Sequence, residues 1–276
     1  MKYTYQFILS LMLVFFSLAS TLTSLALPAN DNLRFVINAP GSSPYIYFDH
    51  EESRYRGVVV DFFESFDDSD AFNVKYIDSS RARNEKLVMS KEADVFFGSA
   101  IWLENPKKFI YSNTIMPHVS YIYSTKKFQE QFSLNAHNGA LICTRHAFSY
   151  PFLQPYFNDG KLVRVDSSSQ KSIVSMLSKG RCDFAIMSEE NARGVMFDSE
   201  FCQNEFYQSP IPVMSDEVGF IINENLTQTR DNINQQLLAF INSGARDKSI
   251  QKHLKSRVFP KRVCQQTADT ALSAEN

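Results

Sequence analysis

Apolar positions in this chain fall into short dense runs separated by polar turns, with stretches of helical spacing between them. Leu33 to Ile37 predicts a strand that ends at Asn38-Ala39-Pro40-Gly41. The loop Ser42-Ser43-Pro44-Tyr45 follows, then Ile46-Tyr47-Phe48 and a polar turn to Gly57. Val58 to Phe66 predicts a helix packed on a sheet, against the weak helix propensity of its β-branched start. Val74 to Ile77 predicts a second strand, Arg81 to Ser90 a helix, and Asp94 to Gly98 a third strand. Within that strand Val95-Phe96-Phe97 is the kind of short apolar run that is buried on both faces. The order β-α-β-α-β predicts a parallel sheet with right-handed crossovers. At Gly98-Ser99-Ala100 the chain turns small and polar, and that end of a strand is where ligands sit in open α/β sheets.

The phrase around the third strand recurs. VMSKEADVFFGS, ending at Ser99, aligns with MLSKGRCDFAIMS, ending at Ser188. Ser90-Lys91 matches Ser178-Lys179, and an Asp opens each strand (Asp94, Asp183). The copies lie about ninety residues apart, too far for a solenoid period and suited to two similar α/β lobes. Convergent helix–turn–strand punctuation is the alternative. Between the strand-like runs Val119 to Thr125 and Glu217 to Asn223 the order β-α-β-α-β repeats. Ala140 to Thr144, Leu162 to Val165 and Asp183 to Met187 predict strands, Tyr150 to Phe157 a helix or turn, and Gln170 to Ser178 a helix. A second lobe is therefore expected to be inserted into the first through two strands that form a hinge. The expected boundaries are 27–117 for the first part of lobe 1, 118–214 for lobe 2, and 215–262 for the return to lobe 1. In that return Ile233, Leu237, Leu238 and Ile241 recur at helical spacing. Gly244 suits a C-cap, and Ile250 and Leu254 mark a further amphipathic helix. The polar tail 263–276 predicts disorder.

Residues 1–26 read as a cleaved signal peptide, with Lys2 as n-region, Phe7 to Phe16 as apolar core, and Ser24-Leu25-Ala26 before the cleavage point. An uncleaved anchor is the alternative, although the apolar run is short for a span. A periplasmic location is expected, and no later segment is apolar enough to span a bilayer. Without Lys2, the 28 Lys and Arg become 27, against 30 Asp and Glu. That balance leaves no basic field for nucleic acid and no polybasic stripe for lipid. The 24 Phe and 12 Tyr exceed what a surface needs, so most belong to the core and some can line a cleft. Export permits disulfides among Cys143, Cys182, Cys202 and Cys264, and none shows CxxC spacing. Cys143 closes one predicted strand and Cys182 opens another. Placed at opposite ends of parallel neighbours, they are not expected to bridge. A Cys202–Cys264 bond is expected instead, leaving two buried thiols.

In order and spacing, these pieces resemble the family 3 extracytoplasmic solute-binding proteins, the polar amino-acid receptors of ABC importers. The resemblance runs from about Asn32 to Phe259. Its carriers are Pro44-Tyr45, the Gly57-to-Asp61 turn, Gly98-Ser99-Ala100-Ile101 through Glu104 and Lys107-Lys108, Tyr111-Ser112, and the closing QQLLAFINSGARDKSIQKHL. It implies a two-lobed periplasmic-binding-protein type II fold, two parallel-rich sheets joined by a two-strand hinge, closing over a small ligand. It also marks departures. The arginine that clamps a ligand carboxylate in amino-acid binders is Asn105 here, its helper threonine is Ala100, and the acid that takes the ligand ammonium is Ser188. Loss of a bidentate guanidinium removes charge and geometry together.

Candidate ligand contacts follow. Arg83, at a spacing where divergent members of that family carry a cleft-facing arginine, and Arg145, after the strand Ala140 to Thr144, suggest an anionic ligand held by one arginine from each lobe. Tyr45 and Trp102 are candidate stacking surfaces, Ser99 and Thr144 candidate hydroxyls, and Glu189, or Glu190 beside it, a candidate for a cationic group. Each also has a structural reading as core, cap or solvated face. The five His are scattered without metal spacing. There is no phosphate loop, GxSxG or HExxH, so no cofactor, metal or catalytic residue is assigned. The expected function is that of a monomeric periplasmic receptor, closing around a small anionic or amino-acid-like ligand and presenting it to an ABC permease or a membrane sensor. A periplasmic lyase or hydrolase on the same scaffold is the alternative.

Overall fold

The computed structural model describes residues 32–66, 72–129, 132–254 and 259. The expected signal peptide, the tail 263–276 and Cys264 lie outside the described residues. The chain opens with β1 (Asn32–Asn38), β2 (Gly41–Ser42), β3 (Ile46–Asp49), β4 (Arg54–Arg56) and α1 (Val58–Glu64). It continues with β5 (Asn73–Ser79), α2 (Arg81–Met89), β6 (Val95–Gly98), β7 (Phe109–Tyr111) and β8 (Met116–Ser124). Then come β9 (Ala140–Arg145), α3 (Gln154–Asn158), β10 (Leu162–Ser167), α4 (Gln170–Ser178), β11 (Phe184–Ser188) and α5 (Glu189–Met196). β12 (Tyr207–Gln208), β13 (Met214–Asn223), α6 (Thr227–Asn242) and α7 (Ala245–Leu254) complete it.

The strands run β10-β9-β11-β8-β13-β6-β1-β5 across one continuous sheet. Its two ends are parallel trios, with β1 between β5 and β6 and β9 between β10 and β11. The long antiparallel strands β8 and β13 link them. Residues Met214–Val218 of β13 pair with β8, whereas Gly219–Ile222 pair with β6. Residues Ser120–Tyr123 of β8 pair with β11. β13 thus joins the first trio through β6, β8 joins the second through β11, and the two pair with each other in between, the two-strand hinge the sequence predicts. Gly219 stands where β13 changes partners, and a Cβ there would lie 2.9 Å from the Asn113 carbonyl oxygen and from Ser112 Oγ. A small antiparallel sheet, β2-β3-β4, was not anticipated. It is built from runs of two to four residues, too short for alternation to register.

The repeated phrase is a repeated lobe. Asp94 accepts the backbone N–H of Arg34 at 2.8 Å, and its own N–H donates to the Arg34 carbonyl at 2.9 Å. Asp183 does the same with Leu141, at 2.8 and 2.9 Å. In both lobes the carboxylate pins the start of a strand to its parallel neighbour and so fixes where that strand's far end falls.

α1 forms against its own propensity because Val58, Val59, Val60, Phe62 and Phe63 are all buried. Burial stabilises each by about 1.5–3 kcal/mol, against a helix penalty of about 0.7 kcal/mol or less per β-branched residue. Phe35, Phe63 and Phe220 meet across the core of lobe 1, with centroids 5.3–6.2 Å apart. Among the described residues no helix is long and apolar enough to cross a membrane.

The expectation that Cys143 and Cys182 remain unbonded thiols needs correction. Cys143 is bonded to Cys182, with Cα atoms 5.7 Å apart. Cys143 lies inside β9 rather than at its end, and Cys182 precedes β11 in the turn after α4. Both side chains join the cluster formed with Ile173, Val174 and Leu177 of α4, so they meet over one face of the sheet. No described cysteine is free. Cys202 is disulfide-bonded, and its expected partner Cys264 lies outside the described residues.

Candidate functional site: a cleft between the lobes

The carboxyl ends of β6, β9 and β11 open onto one cleft lined by both lobes. Lobe 1 contributes Tyr45 from the loop before β3, Arg81 and Asn84 from α2, and Ser99 and Trp102 after β6. Lobe 2 contributes Arg145 at the end of β9, Phe148 beyond it, Ser188 at the end of β11, and Gln170 and Asn191 from the starts of α4 and α5.

Arg145 is the dominant feature. It is 5 % exposed, and its Nε and Nη1 have no hydrogen-bond partner. Its backbone N–H donates to Tyr150 Oη at 2.9 Å, and its guanidinium carbon lies 5.6 Å from the Phe148 ring centroid. No ion pair holds it among the described residues. Burial lowers its pKa, but a guanidinium stays charged throughout the physiological range. Burying a cation without a partner is costly unless an anion meets it.

Arg81 supplies the second guanidinium. Its Nη2 donates to Glu85 Oε1 at 2.9 Å and to the Trp102 carbonyl at 2.7 Å, leaving Nη1 without a partner. Burial lowers its pKa, offset by Glu85. Glu85 also accepts the backbone N–H of Glu104 at 3.0 Å, tying α2 to the loop after β6. The ring of Phe148 stands between the two cations, 5.7 Å from the Arg81 guanidinium, and 5.9 Å from Trp102.

A third group closes the back of the cleft. Gly57, at φ 125°, allows α1 to begin against the preceding loop: the Val59 N–H donates to the Tyr45 carbonyl at 3.0 Å, and a Cβ on Gly57 would lie 2.5 Å from that oxygen. So anchored, Tyr45 Oη lies 2.8 Å from His118 Nδ1, 3.1 Å from Glu190 Oε2 and 3.3 Å from Ser188 Oγ. Its one proton serves the carboxylate best, which leaves His118 to donate from Nδ1. Burial pushes the Tyr45 phenol well up and raises the Glu190 carboxyl. This contact joins lobe 1, the hinge and lobe 2.

His118 lines the cleft beneath the edge of Trp102, with ring centroids 4.8 Å apart, and burial lowers its pKa to about 4. The unfolded value is about 6.5. A folded pKa below the unfolded one means the unfolded chain binds more protons between them, so this contribution is complete above pH 6.5 and is lost as pH falls toward 4. Urea denaturation at pH 7 and pH 4.5 should show a loss of roughly 2–3 kcal/mol from this group, and His118→Gln should flatten the profile by that amount. An unchanged profile would remove the histidine from the effect.

Of the candidates read from sequence, Tyr45, Ser99, Trp102 and Arg145 line the cleft together. Arg83 does not: it is exposed on the outer face of α2, and Arg81 takes its place. Residues two apart on a helix face nearly opposite ways, and the buried set Arg81, Asn84, Glu85 and Val88 shows the inward stripe. Thr144 is fully buried away from the cleft and donates to Asp166 Oδ1 at 2.7 Å, as strand alternation beside Arg145 requires. Glu189 pairs with Arg193 one turn on, while Glu190 reaches the Tyr45 hydroxyl. Asn105 is exposed in a turn. Sequence reasoning missed Arg81, His118, Phe148 and the amides Asn84, Gln170 and Asn191. Anchoring the helix face on Val88 would have found Arg81 and Asn84.

No family model matches the chain, and no curated protein matches it. Solved structures do. One, from work on glutathione import via GshT and the cystine ABC importer TcyBC of Streptococcus mutans, has a TM-score of 0.69 at 16% identity, covering 86% of this chain and 98% of that one. A mutant of ArgBP from T. maritima has a TM-score of 0.67 at 16% identity, covering 82% and 96%. A histidine kinase sensor domain with similarity to periplasmic binding proteins has a TM-score of 0.66 at 12% identity, covering 82% and 96%. At these identities the likeness is one of fold: the chain has the two-lobed α/β fold of the type II periplasmic binding proteins.

Proposed function

We propose that this protein is a periplasmic solute receptor. It closes its lobes on a small anionic ligand and offers the closed form to a membrane partner. The observation that carries this reading is Arg145, buried at the end of β9 with two unpartnered nitrogens and no carboxylate beside it. Arg81 faces the same cleft from the other lobe, so an anion between them gains contacts only when the lobes are together. Such a ligand shifts the population toward closure by its differential affinity for the closed form. A solved chain from work on glutathione import via GshT and a cystine ABC importer, and a kinase sensor domain, share the fold, which supports an ABC permease or a sensor as partner. Binding is favoured over catalysis because the one imidazole in the lining, His118, is hydrogen-bonded to the Tyr45 hydroxyl rather than to a lining serine, and no carboxylate or thiol among the described residues joins it there.

A thermal-shift screen of residues 27–276 tests this. The panel is monocarboxylates, dicarboxylates, amino acids, peptides, polyamines and sugars. A ligand at about a hundredfold its Kd adds about 2.7 kcal/mol. Anions should raise the melting temperature of the wild type and of Arg83→Ala alike. A response confined to polyamines or sugars would overturn the reading.

A further inference from the structure

The charges around the cleft specify more than an anion. Building on the receptor reading above, we infer that the ligand is an organic acid carrying hydroxyl or amide donors and no ammonium group, so that the cleft selects against α-amino acids.

The lining contains Arg81, Arg145 and His118, and no aspartate or glutamate of the described residues. The nearby acids are committed elsewhere. Glu85 holds Arg81 and the backbone N–H of Glu104. Glu189 holds Arg193, and Asp166 holds Thr144 and Arg164. Glu190 takes the Tyr45 hydroxyl. An ammonium brought into the cleft would lose its water, meet no carboxylate in the lining, and sit beside the unpaired Arg145 guanidinium.

The polar groups left over are neutral. Asn84 Oδ1 in lobe 1, and Gln170 Oε1 and Asn191 Oδ1 in lobe 2, are buried without partners. Three such oxygens in one cavity are costly unless a ligand donates to them. Hydroxyl and amide protons do so without importing charge. Tyr45, Trp102 and Phe148 provide apolar wall between these groups. Ser188 is the position from which this preference can be reversed. Its Oγ lines the cleft and caps α5 by accepting the Asn191 N–H at 3.1 Å, and aspartate caps a helix as well as serine does.

The test uses isosteric twins: lactate and alanine, malate and aspartate, 3-phenyllactate and phenylalanine, 2-hydroxyglutarate and glutamate. Each pair replaces an ammonium by a hydroxyl on one carbon skeleton. Titration calorimetry on the wild type should show the hydroxy acid of the best-binding pair at least about tenfold tighter than its amino twin. In Ser188→Asp the amino twin should gain and the hydroxy acid lose. Equal or tighter binding of the amino acid by the wild type overturns the selectivity while leaving the anion receptor in place. Failure of both twins in every pair overturns the anion reading itself.

Discussion

Arg145→Met is expected to cost at least about 3 kcal/mol of ligand binding, more than a hundredfold in Kd, without lowering the stability of the ligand-free protein. These effects have opposite origins. In the free protein the guanidinium is buried without an acid, so its removal relieves an uncompensated charge, and methionine keeps the apolar stem against Phe148. In the complex the same guanidinium would be the partner of a buried ligand anion, and removing it strands that anion. Titration calorimetry reads the first quantity and urea denaturation the second. Binding retained within a few-fold would mean the anion sits elsewhere. A loss of binding accompanied by an equal loss of stability would mean Arg145 is structural.

Removing the Cys143–Cys182 bond should cost about 4 kcal/mol of stability. The bond closes a loop with a sequence separation of 39, which sets the chain-entropy part of that figure. At about 2–4 °C per kcal/mol for a chain of this size, the double alanine variant should melt roughly 8–16 °C lower. Both cysteines are buried, at 0% and 3% exposure, so reductant should act only once the protein is unfolded. The bond also has a bearing on the cleft. It ties β9, which ends at Arg145, to the turn that starts β11, which ends at Ser188. Weaker ligand binding should therefore accompany the lower melting temperature. A change of less than 2 °C would show that α4 alone holds these strands together.

The lobes were legible because their signals are local and repeated. Asp94 and Asp183 read as matching strand openers, and they make matching backbone bonds. The hinge was legible because β8 and β13 are apolar runs on either side of a complete β-α-β-α-β unit. The site was only partly legible, for reasons of geometry. Arg145 and Thr144 are adjacent, and a strand sends adjacent side chains to opposite faces. Knowing the strand without its facing leaves the two equivalent. Arg81 and Arg83 pose the same question on a helix, where Val88 holds the answer. The cysteine pairing depended on where β9 and β11 begin, and a shift of a few residues decides whether two thiols meet or stand at opposite ends. His118 and Tyr45 are 73 residues apart and meet only through the folded chain, which no local pattern encodes.

Trp102 is the only tryptophan in the chain, and it lines the cleft against His118 and Phe148. Its fluorescence is therefore a built-in reporter of cleft occupancy, and a titration of the ligand-free protein with malate, 2-hydroxyglutarate and 3-phenyllactate should be made first. A saturable change in Trp102 emission in the wild type, absent in Arg145→Met, is the expected result. An emission that stays constant while calorimetry records binding would place the ligand outside the cleft and contradict the assignment.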